Sequence, residues 1–490
     1  MAARNSNRKV LATPTHTQHT TFERTDSDVR TIERQENFAV TCAQNNTAPI
    51  PGFLEALKHW CDERNGALLI RPVRYKNPTS KRDPQDERDE DYWWDSAVEP
   101  FLIDNEVRLH RELVLPKTRI QVTSPSLTSR LDSRSKGASA IYGHTRLSMH
   151  TVATPHNKLP KIIYSTGAVT QKNYSTTLAG DLAEFHHSPS AVLVELRGDR
   201  SHLREVTWDG EAFYDLDRKY TAKGGEDAER LLALVTGDEH VWFHEPAVRR
   251  ATYDDLDSIV ATLRPEELIR HDVLDCYSVS PHHFKRRLTR AVKTITGWGN
   301  LERELEDTLR FIEATTPDTA TNVFAASNHH DHLTQWLQSG EQHVEPENLK
   351  LYHWLNYKML EQATWTDSGV YYPSPLRLFA EERGYLTHNA KWLGPDDSHV
   401  VAGVELGMHG HLGPDGARGS IRNLSRVGLR SVIAHRHSPG IFEGTYQVGT
   451  SSRLRLEYTS GPSSWLHTHA GIHRNGRRQM IHVIDGAWRG

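Results

Sequence analysis

Five short segments of the chain place aspartate, asparagine or histidine directly after an apolar run. Carboxylate oxygens and imidazole nitrogens form the mixed set of ligands that suits Mn, Fe or Zn better than Ca or Mg. Residues two apart on an extended segment point to the same side, which suits the D-x-H and H-x-H spacings. The segments are GDEH (Asp238, His240), HDVLD (Asp272, Asp275), SNHH (Asn328, His329), MHGH (His409, His411) and AHRH (His435, His437).

The residues before these segments predict strands that alternate with helices. RLLALVTGDEH and LRSVIAHRHSP each indicate a strand that ends in polar residues, and ATYDDLDSIVATLRPEELIRHDVLD indicates a helix and then a strand. LERELEDTLRFIEATTPD is amphipathic, with Leu301, Leu305, Leu309 and Ile312 on one face. Because ligands of an open α/β sheet bind beyond the carboxyl ends of its strands, we expect the five segments to meet there.

Chance is the alternative explanation for any one of these segments. The chain has 30 histidines against 59 lysines and arginines, so isolated histidine pairs carry little weight. WLHTHAGIH (His467, His469) has the same spacing and is expected on an ordinary strand, while PHHF and EFHH are expected at the surface or the edge of the core. The order D-x-H, D-x-x-D, N-H, H, H-x-H, each at a strand end, favours a metal site.

This order resembles that of the calcineurin-like metallophosphoesterases, whose pattern is D-x-H, G-D-x-x-D, G-N-H-[DE], H and G-H-x-H. The resemblance covers about residues 229 to 450. The ending AHRHSPGIFEGTYQVGTSS and the α/β region before it are similar to phage DNA-transfer-type proteins and related phage metallophosphoesterases. The resemblance implies a C-terminal β-sandwich flanked by helices, preceded by a separate N-terminal α/β domain.

The resemblance also implies two divalent metal ions, for which we expect Mn, with Fe and Zn as alternatives. Two dications roughly 3.5–4 Å apart need an anion between them, and the resemblance gives that place to Asp272. The first ion would be held by Asp238, His240, Asp272 and His437, and the second by Asp272, Asn328, His409 and His435.

The residue after Asn328 takes a catalytic role in the resemblance. His329 would donate a proton to the leaving-group oxygen while water attacks phosphorus in line. Either His409 or His411 could be the histidine of the fourth motif. We favour His409 as the ligand and place His411 near the substrate.

The chain departs from the family pattern at four places. The glycines before the bridging aspartate, before the asparagine and in the last motif are His271, Ser327 and Ala434. Because glycine permits tight turns, these replacements indicate a shifted backbone with the ligands kept. The acid after the catalytic histidine is His330, with Asp331 one place late, which leaves open how His329 is oriented.

The pattern divides the chain into three parts. Residues 1–36 are rich in Thr, Ser, Arg and Asn and are predicted to form a disordered tail. Residues 37–228 are predicted to form an N-terminal α/β domain, beginning with the strand–helix–strand unit NFAVTCAQ, PGFLEALKHWCDERNG and ALLIRPV. Residues 229–490 are predicted to form the metallophosphoesterase domain, with the polar stretch TAKGGEDAE as the boundary.

Composition excludes several classes of protein. The formal net charge of −4 rules out a diffuse cationic surface, so any polyanion must bind at local basic patches. Cys42, Cys61 and Cys276 are too scattered for a disulfide framework or a thiolate zinc site. With neither a secretory signal nor an apolar run of membrane-spanning length, we expect a cytoplasmic protein, in the host cytoplasm if a phage encodes it.

One basic run, SPHHFKRRLTRAVK, follows Asp275. On a helix, Arg286, Arg287 and Arg290 would line one side and contact the phosphates of DNA, although a solvated helix face is an equal alternative. We therefore predict a dinuclear metal-dependent phosphodiesterase, a nuclease acting on DNA in phage DNA transfer, degradation or processing. A phosphatase for small molecules or nucleotides and a non-catalytic metal-binding protein that interacts with DNA remain open alternatives.

Overall fold

The computed structural model describes residues 35–75, 92–127, 129–155, 158–367, 369–386, 388–457 and 459–490. The tail predicted over residues 1–36 lies outside the described residues, except for its last two positions. Large β-sheets and helices make up the fold, which confirms the α/β class. In the part of the chain described, no helix combines the length and the apolar character needed to cross a membrane.

The first part of the described chain is rich in strands. They are β1 (Asn37–Gln44), β2 (Ala67–Val73), β3 (Val107–His110), β4 (Leu113–Leu115), β5 (Ser139–Tyr142), β6 (Leu147–Val152), β7 (Lys161–Thr166), β8 (Ser190–Arg197), β9 (Arg200–Thr207), β10 (Ala212–Asp215), β11 (Arg218–Thr221) and β12 (Gly224–Asp227).

The strands of the second part are shorter, and several are separated by helices. They are β13 (Ala233–Val235), β14 (Glu267–Arg270), β15 (Thr321–Phe324), β16 (Thr364–Thr366), β17 (Gly369–Tyr371), β18 (Ala390–Trp392), β19 (Val400–Val401), β20 (Val404–Glu405), β21 (Ser431–Ile433), β22 (Gly440–Phe442), β23 (Thr445–Gln447), β24 (Thr468–Ile472) and β25 (Arg478–His482).

Most helices lie in the second part. They are α1 (Phe53–Glu63), α2 (Ser129–Asp132), α3 (Leu178–Phe185), α4 (Pro246–Arg249), α5 (Ile259–Leu263), α6 (Arg287–Thr296), α7 (Leu301–Ala314), α8 (Asn328–Gln338), α9 (Leu349–Gln362), α10 (Pro375–Arg383) and α11 (Ile421–Leu424).

The predicted N-terminal strand–helix–strand unit is confirmed. β1 pairs with β2 in parallel, a pairing that requires a crossover connection, and α1 is that crossover. α1 buries an apolar face that includes Trp60, whose indole nitrogen donates a hydrogen bond to Asp215. The sheet has the order β2-β1-β8-β9.

A six-stranded sheet has the order β18-β15-β14-β13-β24-β25. Its strands β13, β14, β15 and β18 are parallel, while β24 runs antiparallel to β13. The carboxyl ends of the parallel strands therefore meet at one edge. The amphipathic helix predicted in this region is α7, which buries all four predicted apolar residues.

A ten-stranded sheet has the order β19-β20-β21-β23-β22-β6-β7-β5-β4-β3. It combines strands from both sides of the boundary predicted near residue 228, joined where Ile441 in β22 pairs with Met149 in β6. The region predicted as a separate N-terminal domain therefore shares this sheet with the C-terminal region. Strand pairing across almost 300 residues leaves no mark on local sequence patterns, so the prediction missed it.

One core cluster links the two large sheets. It contains Val235 and Ile269 from the six-stranded sheet together with Val432 and Tyr446 from the ten-stranded sheet, all buried. Apolar side chains of the two large sheets therefore share one core. The ends of β13, β14, β15, β20 and β21 are held by this common core.

Candidate metal centre

The loops after β13 and β14 run side by side and hydrogen-bond to each other. The backbone N–H groups of Glu239 and His240 donate to the carbonyl oxygens of His271 and Asp272, at 3.0 and 2.8 Å. This ladder continues the parallel pairing of the two strands beyond their ends. It brings the D-x-H segment next to Asp272.

A buried ion pair fixes the same loops from behind. Arg270 is fully buried and donates from Nη1 to both carboxylate oxygens of Glu239, at 2.9 and 3.0 Å. The same guanidinium donates from Nε to Asn322 in β15, at 2.7 Å. Arg270 therefore connects the ends of three neighbouring strands, and Glu239, between Asp238 and His240, is structural.

Three groups of side chains in these loops have the spacing of metal ligands, their donor atoms lying within 4.8 Å of one another. Each group shares a residue with another. Asp238, His240 and Asp272 each belong to two groups. The groups are Asp238, His240 and His437; Asp238, Asp272 and His409; and His240, Asp272 and His329.

Individual distances show how closely the ligand atoms converge. His437 Nε2 lies 3.0 Å from Asp238 Oδ2 and 3.1 Å from His240 Nε2. His409 Nε2 lies 3.2 Å from Asp272 Oδ2. The ligand groups take residues from all five predicted segments, and His409 rather than His411 comes from the fourth.

Electrostatics at this point favour a cation. Asp238, Asp272 and Asp275 are all buried, and burial of an uncompensated carboxylate is costly. Burial opposes protonation of His240, but the nearby Asp275, Asp272 and Asp238 outweigh it and raise its pKa to about 9. The pKa of Asp272 falls well below its usual value, because its interactions with His409 and His329 outweigh the effect of burial.

Several buried carboxylate oxygens in the centre have no hydrogen-bond partner among the described residues. Two of them, Oδ1 of Asp238 and Oδ1 of Asp272, face the other side chains of the ligand groups. Leaving a buried oxygen without a partner costs about 1–3 kcal/mol, so these oxygens are placed to bind a cation or a water molecule. The donor set therefore fits a divalent metal ion.

Several of the ligand residues adopt a left-handed backbone. The φ angles of His240, Asp272, His435 and His437 are 41°, 44°, 75° and 57°. Residues other than glycine rarely adopt this conformation, and it persists where surrounding contacts enforce it, often at functional sites. The glycine-replacing residues His271, Ser327 and Ala434 have no positive φ, so the sharp turn falls on the following residue in two of the three motifs.

The left-handed backbone at His435 and His437 contradicts the expectation that the H-x-H pair lies on an extended segment with both side chains on the same side. β21 ends at Ile433, so His435 and His437 do not lie on a strand, and their side chains do not share a side by strand alternation. Only His437 joins a ligand group. His435, predicted as a ligand, instead places its ring beside His409, with the ring centres 5.3 Å apart.

Asn328 and His329 open helix α8 directly after β15. Ser327 caps this helix by accepting a hydrogen bond from the N–H of His330, which holds the first turn against the sheet edge. Asn328 Oδ1 lies 3.2 Å from His409 Nε2, within the predicted centre. His329 was predicted to be catalytic and not a ligand, yet it stands close enough to His240 and Asp272 to belong to a ligand group.

Asp275 lies in the centre, although the sequence assigned no role to it. Its Oδ1 atom lies 2.8 Å from Nδ1 of His240 and 3.7 Å from Nδ1 of His329. A carboxylate on the second nitrogen of a metal-binding histidine fixes its orientation. The sequence could have indicated this role, because Asp275 is the last residue of the D-x-x-D motif. Asp331, the displaced acid, has 61% of its side chain exposed and does not contact His329.

Further histidines surround the centre. His271 and His411 stand beside His409, with ring centres 5.4 and 5.3 Å away. Burial lowers the pKa of His271 to about 3 and of His411 to about 4, and the positive charge of His409 adds to both shifts. Both rings are therefore neutral near pH 7. His411 is partly exposed, which fits its predicted place near a substrate.

The predicted phosphate contacts lie on or next to helix α6, as expected from the sequence. Arg286 and Arg290 form ion pairs with Glu457 and Glu345, at 3.0 and 2.7 Å. These carboxylates neutralise two of the three predicted charges. The same helix exposes apolar residues, so its outer face is less cationic than the sequence suggests.

His467 and His469 are not part of the ligand groups, as predicted. Their segment includes strand β24, and His467 hydrogen-bonds to the carbonyl oxygen of Ser452 at 2.9 Å. His469 accepts a hydrogen bond from the N–H of Gly237, the neighbour of Asp238. His469 therefore supports the metal loop from outside.

Comparison with known proteins gives one informative similarity. The chain is 28% identical to Protein A1 of Escherichia phage T5 over 470 residues, which cover 93% of this chain and 83% of that protein. No family model matches the chain. No solved structure matches it significantly.

Proposed function

We propose that this chain is a phosphoesterase of the calcineurin-like class that uses two divalent metal ions. The observation that carries the proposal is the overlap of the ligand groups. Asp272 belongs to the group of His409 and to the group of His329, while Asp238 belongs to the groups of His409 and His437. A shared carboxylate is the anion that two adjacent dications require.

The order of the segments along the chain supports the same class. The D-x-H, D-x-x-D, N-H and last H-x-H motifs deliver Asp238, Asp272, Asn328 and His437 from loops and a helix start that follow separate strands. The common core of the two large sheets is consistent with the sandwich of that class. The similarity to a phage protein is consistent with the phage resemblance of the sequence.

Asp238, His240, Asp272, Asn328, His409 and His437 would hold the ions, for which we propose Mn. When bound, such ions polarise a phosphoryl oxygen and make water more acidic. His329 would donate a proton to the departing oxygen. Asp275 holds the Nδ1 side of His329, which is only partly buried and is therefore open to a substrate.

We propose a phosphodiester of nucleic acid as the substrate, and DNA in particular. A screen with Mn tests both parts, using DNA, RNA, bis(4-nitrophenyl) phosphate and 4-nitrophenyl phosphate, with Asp272→Asn as the inactive control. Metal analysis of the wild-type protein after Mn loading should give two ions per chain. Absence of bound metal would refute the dinuclear centre, and hydrolysis of the monoester alone would assign a phosphatase.

A further inference from the structure

A second cleft lies next to the metal centre on the ten-stranded sheet. Its volume is about 890 Å³, and strands β6 and β22, which join the two parts of the sheet, contribute to its walls. Ser438, the residue after His437, also lines it. The cleft therefore begins beside the ligand loop and extends over residues from both sides of the chain.

Arginine dominates the charge of this cleft. Its carboxylates, Asp132 and Glu443, each face a histidine, at 2.8 Å from His150 and 3.7 Å from His186. Within the described part of the chain, none of the arginines of the cleft forms an ion pair, whereas Arg286 and Arg290 both do. The arginines that line the cleft are Arg146, Arg422, Arg430, Arg477 and Arg478.

The described residues satisfy these guanidinium groups only in part. The Nε atom of Arg146 is buried without a hydrogen-bond partner among the described residues. Burial lowers the pKa of Arg477 and Arg478, and the charge of Arg430 lowers both further. Arg430, Arg477 and Arg478 therefore concentrate positive charge, which Asp209 and Glu205 offset only in part.

An aromatic side chain stands at the same cleft. Phe185, the last residue of α3, is 81% exposed, and its ring packs edge-on against His186 with the centres 5.0 Å apart. An exposed ring beside unpaired guanidinium groups is the combination that binds single-stranded nucleic acid, with bases stacked on the ring and phosphates on the arginines.

We propose that this cleft binds a single-stranded segment of nucleic acid, its phosphates on the five arginines and a base on Phe185. The cleft would then supply the substrate strand to the metal centre, and in this respect the inference rests on the proposed function. Binding itself does not require metal. It can therefore be measured separately from hydrolysis.

The test uses the full-length protein in EDTA and a fluorescently labelled single-stranded oligonucleotide, with binding followed by anisotropy over a range of salt concentrations. Arg422 and Arg430 are both exposed, so replacing them does not disturb the core. Arg422→Ala with Arg430→Ala should weaken binding roughly tenfold and reduce the log–log salt slope by about 1.4, since two phosphate contacts are lost. The matched control is Arg377→Ala with Arg383→Ala, two exposed arginines outside the cleft, which should bind like the wild type.

Further binding measurements distinguish a nucleic-acid ligand from a simple phosphate ligand. Phe185→Ala should weaken oligonucleotide binding about tenfold and leave binding of inorganic triphosphate unchanged. Equal binding by the wild type and the Arg422/Arg430 variant would overturn the site. Binding of triphosphate without any binding of the oligonucleotide would overturn the nucleic-acid assignment. If the Mn-loaded wild type does not hydrolyse the dye esters but still binds the oligonucleotide in EDTA, the proposed function is refuted and the binding site in this cleft is retained.

Discussion

His329 directs its Nδ1 atom at Asp275, 2.9 Å from the backbone carbonyl oxygen. Because a carbonyl oxygen only accepts hydrogen bonds, Nδ1 carries the proton of the neutral ring, and Nε2 is the nitrogen left for chemistry. The acid that completes this arrangement therefore comes from the D-x-x-D motif. The residues that follow His329 in sequence do not provide it.

Replacing Asp275 tests this orientation. Asp275→Asn removes the negative charge that lies 2.8 Å from His240 and 3.7 Å from His329, and should lower metal affinity or turnover about 10–100-fold. Dye hydrolysis and Mn titration measure the two effects. Asp331→Asn, the exposed acid beside His411, is the matched control and should leave both unchanged. An equal loss in the two variants would show that Asp331 acts after all.

His329→Ala tests the proton donor. The variant should keep its metal and lose about 10²–10⁴-fold in turnover, the usual contribution of a general acid. The loss should be smaller for 4-nitrophenyl esters, whose leaving group departs without a proton. Since His329 also belongs to a ligand group with His240 and Asp272, metal content must be measured alongside the rate. A variant that has lost metal would make His329 a ligand instead.

The number of metal ions bound per chain tests whether the carboxylate of Asp272 is shared between two ions. Asp272→Asn should weaken the binding of both ions, because its carboxylate is shared between two ligand groups. His437→Ala should weaken one, since His437 belongs to a single group. Elemental analysis after Mn loading distinguishes two, one and no bound ions. His353→Ala, an exposed histidine on α9, is the control and should retain both ions.

Much of this architecture was predictable from local pattern. The strands before each ligand segment, the helix α7 and the unit of β1, α1 and β2 follow from apolar periodicity over a few residues. Asp238 and His240 were predictable as neighbours of Asp272, because parallel strands end at a common edge. His437 was predictable only through the order of the motifs, since the strand before it, β21, lies in the other large sheet.

The missed features depend on contacts that the sequence does not encode locally. His435 was predicted as a ligand from the family resemblance, but the chain leaves β21 two residues before it and turns left-handed, and His435 belongs to none of the ligand groups. The pairing of Arg290 with Glu345 neutralises a charge that a basic run appeared to offer. The arginine cleft was not predicted, because its side chains come from three distant segments and meet only in the folded sheet.

The buried pair of Arg270 and Glu239 gives a stability prediction. Arg270→Ala leaves a buried carboxylate without its partner and should cost about 3–5 kcal/mol in the free energy of unfolding. Urea unfolding of metal-free protein measures it without a contribution from bound ions. Arg249→Ala breaks a partly exposed ion pair with Asp254 and should cost at most about 1 kcal/mol. Similar costs in the two variants would contradict the structural role of Arg270.

The basic run gives a final prediction. Changing Arg286, Arg287 and Arg290 together to alanine should reduce the log–log salt slope of oligonucleotide binding by less than about one, because two of the three already face carboxylates. Anisotropy over a salt series measures the slope. A drop of about two or more would restore α6 as the main phosphate contact.

The pairing of β6 with β22 has a consequence for how such a protein can evolve. β22 begins at Gly440, three residues after His437, so its pairing with β6 ties the last ligand loop to the first part of the chain. A recombination event that exchanged residues 229–490 alone would leave β22 and β6 as unpaired edges, open to association with other chains. The two parts of the chain are therefore expected to be inherited together. Substitutions in β6 are expected to be accompanied by substitutions in β22, with which it pairs.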